Sequence, residues 1–168
     1  MKQKFFTKRK AMIIIATMLF VSATNAQARG SIAVLDFQTG ANITQSQVEG
    51  ISDMFLTFFS PQGFALVERT QIQRVMREQG FQHTNFTDAD AVRLGRILNV
   101  NHVVLGRMAI MGGRYQLDVR VVNVQTGAII ARDYTEWGRQ ASPRDPMRGL
   151  ANRLAQRMPQ PAPPAMRW

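Results

Sequence analysis

The chain reads as an α/β domain, a mixed sheet of about five strands with helices packed on it and an antiparallel three-strand meander at its C-terminal side. Three observations carry this. Residues 31–37, SIAVLDF, form an apolar run of strand length. Apolar residues then recur at spacings of three and four, as a helix needs. From His102 the spacing changes to two, in three segments separated by glycine turns.

Residues 31–37 are apolar enough for one buried strand, and Thr39, Gly40, Ala41 and Asn42 break it. Val48, Ile51, Phe55, Phe58 and Phe59 give the first helix a wide apolar face that ends at Pro61. Residues 64–67, FALV, form a short second strand, and Thr70 with Gln73 stands at capping-box spacing for a second helix that Gly80 ends. Thr87 and Asp90 repeat that spacing before Ala91, Leu94, Ile97 and Leu98, so 87–98 is a third helix. Gly95 inside it costs about 1 kcal/mol against alanine, which predicts close packing on a neighbour.

Residues 102–111, 115–124 and 128–137 make the meander. Gly112 and Gly113 supply the positive φ angles of a two-residue turn, and Gln125, Thr126 and Gly127 close the next connection. Tyr115, Leu117, Val119 and Val121 alternate with Gln116, Asp118 and Arg120, the pattern of a sheet covered on one side. Asp145 as cap and Pro146 at the first helical position open a last helix carrying Met147, Leu150, Leu154 and Met158 on one side.

Lys2, Lys4, Lys8, Arg9 and Lys10 precede the apolar run 11–23, and Ala26-Gln27-Ala28 follows. This reads as a secretory signal peptide cut after Ala28, with Ala26 the alternative cut and an uncleaved anchor the alternative role. The run falls short of the roughly 20 residues that span a bilayer. The organisation expected is thus a signal peptide over 1–28, one domain over 29–158 and a tail over 159–168. Removing the signal takes five of the 21 basic residues and none of the 11 acidic ones, leaving a net charge of +5 carried entirely by arginine. Such a charge suits anionic headgroups or acidic polymers, giving at most peripheral membrane association, and it falls short of a nucleic-acid signature. With no cysteine, neither a disulfide nor a lipidated cysteine is available.

Chemistry is sparse. His83 and His102 lack metal-ligand spacing, and no nucleophile elbow, phosphate loop or dinucleotide fingerprint occurs, so no metal, cofactor or catalytic residue is assigned. Asp88 and Asp90 are explained by capping and the helix dipole. Glu68 and Arg69, adjacent at a strand-to-helix junction, make a local ion pair or orient a loop against another subunit. Arg107, Arg114, Arg120 and Arg132 fall in or beside the meander, where those on its polar face form either a solvated surface or a basic stripe for an acidic protein partner. The tail PQPAPPAMRW, with four prolines, is extended, either a free end or a polyproline segment that docks Arg167 and Trp168 on a partner.

The segments IAVLDF (32–37), LVERTQIQRVMREQ (66–79), the helix around Leu94-Gly95, HVVLGRM (102–108) and LDVRVVNVQTG (117–127), in this order, resemble the CsgG family. That family includes the curli secretion channel subunit, and its fold is related to the penicillin-binding-protein activator LpoB and to the N-terminal domain of TolB. The resemblance spans about 31–158. It implies an α/β sandwich that works in the periplasm as a non-catalytic assembly or accessory factor, binding envelope proteins in an outer-membrane-associated complex and able to form a homo-oligomer or ring. Secretion, surface-appendage assembly and peptidoglycan-synthase activation are the roles it offers. Channel subunits of the family are lipoproteins with two membrane hairpins, and this sequence departs from them at both places. Residues 111–114 and 138–144 are too short to hold strands of roughly 9 to 11 residues each. The alternative is an envelope enzyme with a spatially assembled carboxylate site, for which Asp36 is the first candidate.

Overall fold

Val103, Val104 and Leu105 are consecutive and all buried, which a strand achieves only when both its faces are covered. In the computed structural model, which describes residues 30–40, 42–82 and 86–159, they lie in the central strand of a six-stranded mixed sheet. The elements in chain order are β1 (Ser31–Val34), β2 (Gln38–Thr39), α1 (Gln45–Phe59), β3 (Ala65–Leu66), α2 (Arg69–Glu78), α3 (Asp88–Ile97), β4 (His102–Met111), β5 (Arg114–Asn123), β6 (Ile129–Gly138) and α4 (Arg144–Arg157). The strand order is β3-β1-β4-β5-β6, with β2 continuing along β4 beyond β1. Pairing is parallel among β1, β2, β3 and β4, and antiparallel through β4, β5 and β6.

The strand expected over 31–37 ends at Val34, and a second short strand follows at 38–39, where the sequence predicts the break. Phe37 turns inward between them, 1% exposed and edge-on to Phe55 at 5.3 Å. Its backbone N–H leaves the ladder and donates to Ser52 Oγ at 3.0 Å, whose hydroxyl donates to the Val48 carbonyl. The buried Ser52 is thereby satisfied and ties α1 to the break.

One sheet face carries α1 and α4, with Phe55, Phe59 and Phe64 stacked in series at 5.2 and 5.3 Å. Burial of each such ring contributes about 1.5 to 3 kcal/mol. The other face carries α2 and α3, packed on Ala33, Leu35, Val103, Leu105, Val122 and Val124. The expectation of a sheet covered on one side is therefore corrected. Alternation fails where Val121 and Val122 are both buried beside a register shift in β5, and α3 lies over that half. Gly95 permits the approach, since a Cβ there would collide with Val124 and stand 3.0 Å from Val103 Cγ2. Only the far half of the meander keeps an uncovered face.

Helix starts differ from the spacing rules in two places. Thr87 and Asp90 form their capping box. Thr70 and Gln73 do not, because α2 already begins at Arg69 after Glu68 and the Gln73 amide instead donates to Asp36. Similarly α4 begins at Arg144 behind Pro143, which places Asp145 inside the first turn, where it pairs with Arg148 at 3.6 Å. A cap box that the rules did not pick out, Thr44 with Gln47, opens α1. Gly112 and Gly113 have φ of +56° and +75°, the turn expected.

Candidate protein-docking face

Cross-strand partners project from the same side of a sheet. The register sets Leu105 beside Arg120 and Arg132, Arg107 beside Asp118 and Tyr134, Ala109 beside Gln116 and Glu136, and Met111 beside Arg114 and Gly138. All four arginines singled out in the sequence thus share the uncovered face, opposite the one from which Leu117, Val119 and Val121 enter the α1/α4 core. Ala28 and Trp168, the other two site residues named there, lie outside the described residues, as do His83 and residues 160–168.

The charges on this face are only partly compensated. Arg120 Nε donates to Asp88 Oδ1 at 2.6 Å, so an acidic residue assigned to the helix start also clamps α3 to β5. Arg114 Nε stands 3.5 Å from Glu136 Oε2. Asp118 accepts from the Gln116 amide at 2.8 Å. Arg107 and Arg132 are exposed and have no ion pair among the described residues. Tyr134, two residues along β6 from Arg132 and separated from Arg107 by Asp118, is 56% exposed, and Met111 at the hairpin end is 59% exposed. The sequence reading missed both. The period-two run Arg132, Tyr134, Glu136 marks their common side, but nothing local says that no helix covers it.

β6 is an edge strand, and three of its outward backbone groups are engaged by side chains. Arg153 Nη2 donates to the Tyr134 carbonyl at 3.0 Å and Arg157 Nη1 to the Arg132 carbonyl at 2.6 Å. The Tyr134 N–H donates to Asp133 Oδ1 at 2.8 Å. Both arginines also reach Asp133 Oδ2, at 2.7 and 3.2 Å. Burial opposes the ionised form of Asp133, yet the hydrogen bonds from Arg153 and the Tyr134 N–H and the two guanidinium charges outweigh it and hold the carboxyl below its ordinary range.

At the carboxyl end of β1, Asp36 is 12% exposed and 2.6 Å from Arg69 Nη2, and its other oxygen accepts from Gln73. Arg69 reaches Asp53 on α1 as well. The Asp36 contact is close but not aligned as a hydrogen bond, and Arg69 Nε is buried without an acceptor; the group acts as an ion pair joining β1, α1 and α2. Arg69 thus pairs with Asp36 and Asp53 from other elements, not with its neighbour Glu68. His102, 6% exposed, leaves Nδ1 without a partner, and burial lowers its pKa below the ordinary 6.5. Among the described residues no group of acidic, histidine or cysteine side chains is placed to hold a metal ion.

The profile of the family described as "Curli production assembly/transport component CsgG" matches residues 14–111, more than half of the chain. The chain belongs to the CsgG family. The match ends at Met111, so β5 and β6 of this CsgG-family protein, with most of the uncovered face, lie beyond it. No curated protein matches the chain. Among solved structures it is similar to the LpoB C-terminal domain from Salmonella enterica, at 18% identity and a TM-score of 0.53 over 67% of this chain and 85% of that one. The lipoprotein GNA1162 from Neisseria meningitidis aligns at 17% identity and 0.55, over 67% and 84%. The PelC dodecamer from Paraburkholderia phytofirmans aligns at 14% and 0.50, over 81% and 93%. These likenesses show a shared fold.

In this CsgG-family chain the β4–β5 connection is the two-residue turn Gly112-Gly113, and residues 139–143 alone join β6 to α4. Neither connection has the length for a pair of membrane-crossing strands.

Proposed function

We propose that this CsgG-family protein is a non-catalytic accessory factor of the bacterial envelope, exported by its N-terminal signal and acting in the periplasm by binding other proteins. The observation that carries the reading is the uncovered half of the sheet face. A sheet otherwise packed on both sides leaves Tyr134, Met111, Arg107 and Arg132 exposed on one side of the meander, and aromatic, Met and Arg side chains are the types enriched in protein interfaces. Asp36, the carboxylate considered first for catalysis, is committed to Arg69 and Gln73. The two short connections favour an accessory role over a pore.

Secretion, appendage assembly and peptidoglycan-synthase activation are the finer roles that fit, and the similarity to the PelC dodecamer supports adding self-assembly to the reading. Crosslinking in native envelopes followed by affinity capture and mass spectrometry tests the reading, with light scattering on the purified chain. Capture of a defined outer-membrane-associated complex, or a closed homo-oligomer, is expected. A strict monomer without an envelope partner overturns it.

A further inference from the structure

Resting on the reading that the chain is exported by an N-terminal signal, we propose that the fold itself controls signal removal: the peptide bond after Ala28 is cut only before β1 docks, and a precursor that folds first is no longer cut there. The start of the first strand is held by a built clamp. The Ser31 N–H donates to Asn101 Oδ1 at 2.9 Å, and the Ser31 carbonyl accepts from the Asn101 N–H at 3.0 Å. The Ser31 hydroxyl donates to the same Oδ1 at 3.1 Å. One residue earlier, the Gly30 carbonyl accepts from the Ala65 N–H of β3 at 3.0 Å. Asn101 is itself fixed, because its carbonyl accepts from the Val124 N–H at 2.9 Å. Gly30 has φ of +100°, and a Cβ there would stand 3.0 Å from Asn101 Oδ1, so the backbone runs close against its clamp.

Hydrolysis adds one water across the Ala28–Arg29 amide and leaves a carboxylate on Ala28 and an ammonium group on Arg29. A peptidase holds its substrate extended on both sides of the bond and pairs with its backbone N–H and C=O groups. Arg29 and Gly30 alone separate the bond from Ser31, a reach of at most about 7 Å. A strand pairing with the substrate lies about 4.8 Å to its side, and a wall packed over its face stands about 10 Å away. Cleft and folded domain would therefore occupy the same space. The groups the cleft needs beyond the bond are also those that Ala65 and Asn101 already hold. β1 does not swing out alone, since it pairs with β3 on one side and β4 on the other and Ile32 is fully buried. Cleavage of the folded chain is then limited to its rare open form.

The test compares three substrates of a purified bacterial signal peptidase in one detergent. They are the folded 168-residue precursor, a synthetic peptide of residues 1–36, and a folded precursor with about six Gly and Ser residues inserted between Arg29 and Gly30. The peptide lacks β3, β4 and Asn101 and so has no clamp. The insert leaves the clamp in place and moves the bond about 20 Å further from it. Mass spectrometry reads the new N-terminus. The folded precursor is expected to be cut after Ala28 at least about tenfold more slowly than the peptide, and the folded insert variant within about twofold of the peptide.

Equal rates for the folded precursor and the peptide overturn the clamp and leave the signal reading intact. A folded insert variant as slow as its parent does the same, because the obstacle is then not the distance to Ser31. Cutting of the peptide after Ala26 alone also overturns the proposal while keeping the signal. A peptide that is not cut after either alanine sinks the signal reading and the proposal together.

Discussion

The Phe37 ring occupies the space into which any side chain at Gly106 would project. Gly106 lies in the middle of β4, where glycine is otherwise a poor choice, and the close approach is what lets the break between β1 and β2 tuck an aromatic ring under α1. Gly106→Ala should therefore destabilise the fold by about 2 kcal/mol through overpacking. Urea denaturation checks this; a midpoint equal to that of the unaltered protein would show that Phe37 relaxes freely.

His102 predicts a pH dependence. Its folded pKa lies below the ordinary 6.5 because burial disfavours the charged form, so the folded state binds its proton later than the unfolded chain does. The contribution is fully present above about pH 6.5 and is lost as pH falls through the folded pKa. Between pH 7 and pH 5 the melting temperature should fall more steeply for the unaltered protein than for His102→Leu. Parallel profiles would remove His102 as the cause. Asp133, whose pKa is also lowered, contributes in a separate window, lost only as pH drops below about 4.

Arg153→Ala with Arg157→Ala strips the carbonyls of Arg132 and Tyr134 of their donors and leaves Asp133, 12% exposed, without its cations. A loss of about 2 kcal/mol is expected. An opened edge strand also pairs with other chains, so light scattering should report association beyond that of the unaltered protein. A double variant that is destabilised but assembles no further would show that another feature guards the edge.

Asp36→Asn separates structure from chemistry. It weakens the ion pair with Arg69, and a double-mutant cycle with Arg69→Leu should give a coupling of about 1 to 3 kcal/mol. Once folding is verified, the variant should capture the same envelope complex as the unaltered chain. Loss of function in a fully folded Asp36→Asn protein would instead revive a carboxylate-based activity.

Much of the fold was legible because it rests on local periodicity. The meander boundaries, the Gly112-Gly113 turn, the Thr87–Asp90 box and the close packing at Gly95 follow from side-chain spacing and backbone sterics, which act within a few residues. The misreadings are places where a distant partner outbid a local rule. Gln73 went to Asp36, 37 residues away, instead of capping α2, and Phe37 left its strand for a pocket that Gly106 in β4 creates.

The same division applies to the docking face. By itself the sequence determined which residues within each strand share a side, because a strand alternates with period two, and it put Arg107, Arg114, Arg120 and Arg132 in or beside the meander; the register between strands set all four on one side. Tertiary structure alone decided that α2 and α3 cover Val103, Leu105, Val122 and Val124 but stop short of Tyr134. It also decided that Asp88 and Glu136 neutralise Arg120 and Arg114 and leave Arg107 and Arg132 unpaired. Charge compensation acts through space between elements far apart in the chain, and only the packed arrangement brings those elements within reach.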